Sequence, residues 1–168
     1  MYKRTITLDL SPHGISKTVQ QLEAFTAWVE QKTSLLMSKL SQLGLDVARI
    51  NFGSVMPYYN NGNGADATIT VEPIENGYAI QASGEDVCFI EFGAGVTYGE
   101  GYSGNRPEGI VGIGEYGKGR GANPKGWWYK KVGEDAVHTL GNPPAEGMFA
   151  AEQTIRQQVY NIAKEVFA

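Results

Sequence analysis

Few residues in the sequence combine a reactive type with a spacing that suits chemistry. The one thiol, Cys88, lies between Val87 and Phe89 in an apolar run, and the only histidines are His13 and His138. A reactive thiol needs a polar, electropositive setting, so we expect Cys88 to be a core residue rather than a nucleophile. With one cysteine and two histidines, the sequence predicts neither a disulfide framework nor a Cys/His metal cluster.

A glycine-rich string is the second candidate for chemistry. Residues 112–117 read Gly-Ile-Gly-Glu-Tyr-Gly and match the G-x-G-x-x-G pattern of dinucleotide sites. That pattern holds pyrophosphate at the start of a helix, whereas residues 118–124 contain two glycines and a proline and do not suit a helix. An enzyme or ligand-binding module that uses residues 112–121 as a phosphate or sugar cradle is the alternative function.

Glu91 is the most unusual carboxylate, because it lies inside the apolar run 87–92. Burying a carboxylate is unfavourable unless the group is paired or hydrogen-bonded. We expect a structural partner, either an arginine or the backbone amides of the adjacent glycine turn, rather than a catalytic role.

Residues 118–131 mix cations with aromatic side chains and contain no acid. The set is Lys118, Arg120, Lys125, Lys130 and Lys131 with Trp127, Trp128 and Tyr129. Three interpretations stay open: a hairpin with aromatics on its buried face, a protein interface, or a single-stranded nucleic-acid site. Lys118, Arg120 and Trp127–Tyr129 are therefore the candidate assembly interface.

Composition and charge exclude several function classes. The chain has 168 residues, 42% of them hydrophobic, which predicts a folded core rather than disorder. Fourteen Lys and Arg against eighteen Asp and Glu give a net charge of −4, the wrong sign for a general nucleic-acid binder. No apolar run follows the basic residues Lys3 and Arg4, so we expect neither a signal peptide nor a membrane span.

Glycine is the one strong deviation in composition. The chain has 22 glycines in 168 residues, roughly twice the usual frequency of about 7%. Twelve of them fall between Gly93 and Gly126. We therefore predict one domain over residues 1–168 that carries a glycine-rich loop insertion at about 93–126.

A short strand over residues 5–10 and then a long helix are predicted at the N-terminus. Ser16 is a suitable N-cap and Gly44 a suitable C-cap, so the helix spans about 28 residues or ~42 Å at 1.5 Å per residue. That length exceeds a compact domain of this size, so part of the helix is expected to project. Packing on its own sheet is favoured over a helix contact between subunits, although Leu22, Val29, Leu36 and Leu43 repeat every seven residues.

The remaining chain predicts two hairpins and a terminal helix. Alternating residues around the turn Asn76-Gly77 predict an antiparallel hairpin over 67–83. Residues 84–92 fit a strand or a short helix, with the helix preferred. A second hairpin is predicted from Trp127–Val132 and Ala136–Leu140.

The apolar residues from Met148 to Val166 recur on one helical face and predict a terminal helix. This order of elements predicts an α+β fold: a long N-terminal helix and a C-terminal helix packed on a small antiparallel sheet of hairpins.

A family resemblance rests on short motifs spread over most of the chain. Residues 89–96 read Phe-Ile-Glu-Phe-Gly-Ala-Gly-Val and are similar to a Glu-Phe-Gly-Thr-Gly signature, with Ala94 where threonine is usual. Tyr59–Gly62, Trp127–Tyr129, His138–Gly141 and Pro144–Phe149 add support. Through these residues the sequence resembles the lambda Z-like neck, tail-completion and head–tail joining proteins of long-tailed bacteriophages and prophages. Glu91, Phe92, Gly93 and Gly95 are the signature residues.

This resemblance implies a non-enzymatic structural protein of the virion. It implies a homo-oligomeric ring in the neck, between the head connector and the tail terminator or tube proteins, with DNA passing through the channel. The protein would be made in the cytoplasm of the bacterial host and would need no cofactor and no membrane.

Overall fold

The structure is a computed structural model, and the residues it describes form seven α-helices and β-strands and one short 3-10 helix, Met56–Tyr59. It describes residues 10–59, 64–95, 102–105, 124–130, 133 and 135–168, with only the backbone of Tyr129. The elements in chain order are α1 (Pro12–Ser54), β1 (Thr68–Ile74), β2 (Gly77–Ser83), α2 (Val87–Phe92), β3 (Trp127–Tyr129), β4 (Val137–Thr139) and α3 (Gly147–Phe167). This is the predicted α+β fold. The predicted strand over 5–10 and most of the glycine-rich insertion lie outside the described residues.

Helix α1 is longer at both ends than the sequence pattern predicts. It has 43 residues, about 64 Å at 1.5 Å per residue. The start at Ser16 was wrong, because Ser11 is the N-cap and accepts a hydrogen bond from the Gly14 amide at 3.1 Å, with Pro12 as the first helical residue. Proline suits that position because its missing N–H has no helical partner there.

Gly44 was also assigned the wrong role, since it lies inside α1 rather than at its end. It is buried, and a Cβ at this position would collide with the Cδ1 atoms of Ile80 in β2 and Ile155 in α3. Glycine therefore serves here as a contact point where a strand and a second helix approach the backbone of α1.

The hairpin β1–β2 agrees with its prediction. The strands pair antiparallel from Thr68 opposite Ser83 to Ile74 opposite Gly77, leaving a two-residue loop at 75–76. Ile69 is buried, and its carbonyl accepts a hydrogen bond from the Arg49 guanidinium at 2.9 Å. The hairpin thus covers the C-terminal half of α1, as the favoured packing on its own sheet requires.

Residues 87–92 form helix α2, the preferred of the two predicted alternatives. Asp86 stands at its N-cap position, and the Asp86 carboxylate accepts a hydrogen bond from the Asp66 amide at 2.7 Å. Ile90 is fully buried and Phe92 nearly so. The helix therefore joins the end of the first hairpin to the core.

The second hairpin also forms, although residues 131 and 132 of its predicted first strand lie outside the described residues. Trp127–Tyr129 pairs antiparallel with Val137–Thr139 as a separate two-stranded sheet. A separate, isolated antiparallel bridge joins Ala94 to Asn142, just after β4. Two small sheets therefore stand where the sequence predicted one.

Helix α3 runs antiparallel to α1 and closes the core. Gly147 packs against Phe52 near the end of α1, whereas Phe167 meets Trp28 edge-to-face with ring centroids 5.8 Å apart. The Lys32 ammonium donates to the Val166 carbonyl at 2.6 Å. The core lies at the opposite end, around Leu45, Ala48, Phe52, Val55, Ile69, Ile90, Ala145 and Ala151.

The first sixteen residues of α1, 12–27, continue past the level of Phe167 for about 24 Å. We call this segment the arm. Four apolar side chains on it recur at steps of three or four residues and keep 37–48% of their surface exposed: Ile15, Val19, Leu22 and Phe25. Gly14 and Thr18 in the same segment are buried, so the arm is covered on one side, and the projection of the long helix stays a prediction.

Candidate assembly interface

Glu91 is a structural carboxylate that caps another helix. Its side chain is 4% exposed, and its two oxygens accept hydrogen bonds from the amides of Met148 at 2.9 Å and Phe149 at 3.1 Å. These amides belong to the first turn of α3, where the backbone donors lack helical partners and the dipole favours negative charge. The Tyr102 hydroxyl adds a third donor at 3.3 Å.

The prediction that backbone amides bind Glu91 is therefore confirmed, whereas the predicted location of these amides was wrong. Backbone amides hold the carboxylate, but they come from α3 and not from the adjacent glycine turn. Glu146, at the N-cap position of α3, has φ 54° and makes no side-chain cap. Glu91 provides the side-chain cap of α3 instead. It lies in α2, 57 positions before Met148 along the chain.

The two glycines of the signature lie where the chain passes close to residues 140–144. Gly93 and Gly95 have φ values of 80° and 87°, in the left-handed region that favours glycine. A Cβ on Gly93 would lie 2.8 Å from the Pro144 nitrogen, and one on Gly95 would collide with the Leu140 carbonyl. Glu91, Phe92, Gly93 and Gly95 thus form one junction between α2, β4 and α3.

Asn142 holds the same junction together, although no sequence pattern assigned it a role. It is 3% exposed, and its side-chain NH₂ donates to the carbonyls of Phe89 and Pro143, both at 2.9 Å. Its side-chain oxygen accepts from the Tyr59 hydroxyl at 3.0 Å. An asparagine flanked by glycine and prolines was the available signal, but its partners are distant in sequence.

The two tryptophans of β3 point to opposite faces of the second hairpin. Trp128 lies opposite His138, with ring centroids 5.2 Å apart in an edge-to-face arrangement, and is 62% exposed. Trp127 lies opposite Thr139, is half-buried, and its indole packs beside Gly95. Successive side chains of a strand alternate between faces, so the two indoles belong to different surfaces.

Trp127 lines a pocket of about 180 Å³ on the inner face of the hairpin. The pocket opens to solvent, and most of the described residues that line it are aromatic or aliphatic. Its residues are Tyr58, Tyr59, Asp86, Phe89, Ala94, Trp127, Thr139, Gly141 and Asn142. We call it the aromatic pocket.

The candidate interface predicted from sequence is therefore only partly assembled. Trp127 and Trp128 do not form one patch, and Tyr129 pairs with Val137 through the backbone of the hairpin. Lys118 and Arg120 lie outside the described residues, as does the whole 112–121 string of the alternative function. Exposed Lys125 and Lys130 flank β3.

The remaining candidate features are the thiol of Cys88, a metal site and a membrane span. Cys88 is a free thiol in α2 and is half-buried. Within the described ranges, no three His, Cys, Asp or Glu side chains come together as a metal site. None of the described helices combines the length and apolar character needed to cross a membrane.

No family model, curated protein or solved structure matches the chain.

Proposed function

We propose that the protein is a non-enzymatic structural subunit of a tailed-phage virion that forms a ring in the neck. In that position it joins the head connector to the tail terminator or tube proteins, and DNA passes through the channel without being specifically recognised. The resemblance of residues 89–96 to the tail-completion signature supports this assignment. The four signature residues also support it, because they act together as a structural joint rather than as a reaction site.

The arm is the observation that carries the proposal. A helix of sixteen residues is marginal in water without tertiary packing, and four apolar side chains on it are more than a third exposed. Contiguous exposed apolar surface on a helix is typical of an interaction site. A subunit whose function is assembly needs such a surface.

We assign the arm to a second copy of this chain. The face that Leu36 and Leu40 turn toward the fold in the C-terminal half of α1 continues along the arm through Leu22 and Ile15, because these positions lie within about 60° of one another at 100° per residue. A neighbouring copy presents the same stripe over the same length. Arms of neighbouring copies can therefore pack side by side with matched apolar residues.

The first test compares Leu22→Glu with Gln20→Glu, which places the same charge on the opposite face of the arm. We expect ring-shaped particles for the wild type and Gln20→Glu in negative-stain images. For Leu22→Glu we expect association at least about tenfold weaker, equal to about 1.4 kcal/mol, because a charge replaces a buried apolar contact. Light scattering coupled to size-exclusion chromatography measures the masses.

Thermal unfolding of the monomeric fraction is the control, and it should be the same for both variants. A wild type that stays monomeric at every concentration contradicts the proposal. Stabilisation of the wild type by a nucleotide or a sugar would instead favour the alternative function of residues 112–121.

A further inference from the structure

We propose that neighbouring copies join head to tail, with Trp128 of one copy inserted into the aromatic pocket of the next. The inference rests on the proposed function, and it assigns a specific contact to the ring. It needs a projecting side chain, a pocket that fits it, and a geometry that prevents one copy from satisfying both.

Trp128 is the projecting side chain. The Trp128 side chain is 62% exposed, and His138 packs edge-to-face against it from β4. A side chain held in one orientation loses little entropy on binding, and tryptophan is among the residues that contribute most at protein interfaces.

The aromatic pocket has the size and chemistry for an indole. Its volume is about 180 Å³, and an apolar cavity of about 150 Å³ is enough for benzene. Tyr58 and Phe89 are 42% and 41% exposed at its rim, and Trp127 supplies a third ring. Aromatic rings that line a pocket can hold a further ring through offset or edge-to-face contacts.

Asp86, Thr139 and Asn142 bring polar side chains to the pocket, and each is already hydrogen-bonded within the chain, which favours an apolar guest. The Asn142 amide donates to Phe89 and Pro143 and accepts from Tyr59. A guest ring therefore has no need to offer hydrogen bonds to it, and a strongly polar guest would lose its hydration without a replacement.

The hairpin geometry makes the contact intermolecular. Trp127 and Thr139 face the pocket, whereas Trp128 and His138 face away from it across the same two strands. One copy therefore cannot place its own Trp128 in its own pocket. An interface between two different patches is heterologous, and repetition of such a contact closes into a ring when the rotation between copies permits.

The experiment uses one variant that lacks the projecting ring and two that disable the pocket. Trp128→Ala keeps the pocket, whereas Phe89→Glu and Tyr58→Ala alter the pocket rim and keep Trp128. We expect each of the three to weaken association by at least about 30-fold, as expected for loss of an interface anchor. Tyr160→Ala is the matched control, because Tyr160 is a 74% exposed aromatic on α3, and it should associate like the wild type.

A mixing experiment separates this contact from any other. Trp128→Ala and Phe89→Glu each lack one half of the contact, so together they can form it once. We expect each alone to be monomeric in the concentration range where their mixture is a one-to-one dimer and the wild type is a ring. A mixture that gains no association overturns the inference, whichever pocket variant is used.

Free indole provides a readout that does not depend on assembly. Titrated into the Trp128→Ala monomer, it should shift the amide resonances of Phe89 and Thr139 and leave those of the arm unchanged. Absence of these shifts overturns the inference. If rings of the wild type form and both Trp128→Ala and Phe89→Glu still assemble normally, the inference fails while the proposed function stands; if the wild type never assembles, both fail.

Discussion

At the scale of single residues, the junction at Glu91 decides how the second half of the chain is held. The Glu91 carboxylate accepts hydrogen bonds from two amides at the start of α3 and one from the Tyr102 hydroxyl. One buried amide group, that of Asn142, connects α2, Pro143 and Tyr59. Asn142 also lines the aromatic pocket, so the shape of the pocket depends on the part-buried hydrogen bonds of this side chain.

We predict that Glu91→Gln lowers the free energy of unfolding by about 1–3 kcal/mol. The substitution keeps an acceptor oxygen but removes the charge and places an NH₂ group where an α3 amide must find an acceptor. Urea denaturation at constant slope measures the change.

The control for that substitution is Glu152→Gln in the body of α3. Glu152 pairs with Arg156 on the surface, with both side chains more than half exposed, so we expect a change within about 0.5 kcal/mol. Equal effects of the two substitutions would contradict the capping role of Glu91.

At the scale of elements, two glycines of α1 have opposite surroundings. A Cβ on Gly44 meets Ile80 and lies 2.7 Å from Ile155, whereas one on Gly53 meets nothing within 4 Å. Glycine lowers helix stability relative to alanine by about 1 kcal/mol. Overpacking a core lowers stability by about 1–3 kcal/mol.

We therefore predict opposite signs for the two alanine substitutions. Gly53→Ala should stabilise the protein by about 0.5–1 kcal/mol, because only the helix propensity changes. Gly44→Ala should destabilise it by about 1 kcal/mol, because two isoleucines must move. Denaturation midpoints measure both, and a stabilising Gly44→Ala would show that β2 and α3 can adjust freely.

Local patterns predicted the elements whose signals lie within the elements themselves. The β1–β2 hairpin follows from alternation around Asn76-Gly77, and α3 follows from its apolar period. The end of α1 did not follow, because Gly44 reads locally as a cap and only Ile80 and Ile155 explain its place inside the helix. The predicted start of α1 at Ser16 was wrong because the pair Ser11-Pro12 suits a turn as well as a helix N-terminus.

For the candidate assembly interface, the sequence could predict which residue types take part but not how they are arranged. Trp127 and Trp128 are adjacent in sequence, and their separation onto two faces becomes visible once β3 pairs with β4. The role of Asn142 depends on Phe89 and Tyr59, more than fifty positions away, so no local pattern could reveal it.

At the scale of the whole molecule, stability is unevenly distributed along α1. The core residues of the helix lie between Leu45 and Phe52, while the arm at 12–27 is more than a third exposed along its apolar stripe. Amide protection follows local burial and packing.

We predict that the arm amides of the monomer exchange with solvent hydrogen much faster than those of residues 45–52. Assembly should slow exchange in the arm and leave residues 45–52 unchanged. Mass spectrometry of monomeric Leu22→Glu and of the assembled wild type measures both. Uniform protection along the monomer helix would contradict this description of the arm.

The close approach of Gly95 to Trp127 has a consequence for how this chain can vary. Thirty-one residues separate these two positions in sequence, yet a Cβ on Gly95 would lie 3.1 Å from the Trp127 ring. The entropy of closing such a loop grows only with the logarithm of its length, so doubling it costs about 0.6 kcal/mol. Tyr102 donates to Glu91 and the Ser103 amide to Glu146, so this part of the intervening stretch is tied to the fold. The rest of the stretch can therefore change in length at little cost in stability while Gly95 and Trp127 keep its two ends together.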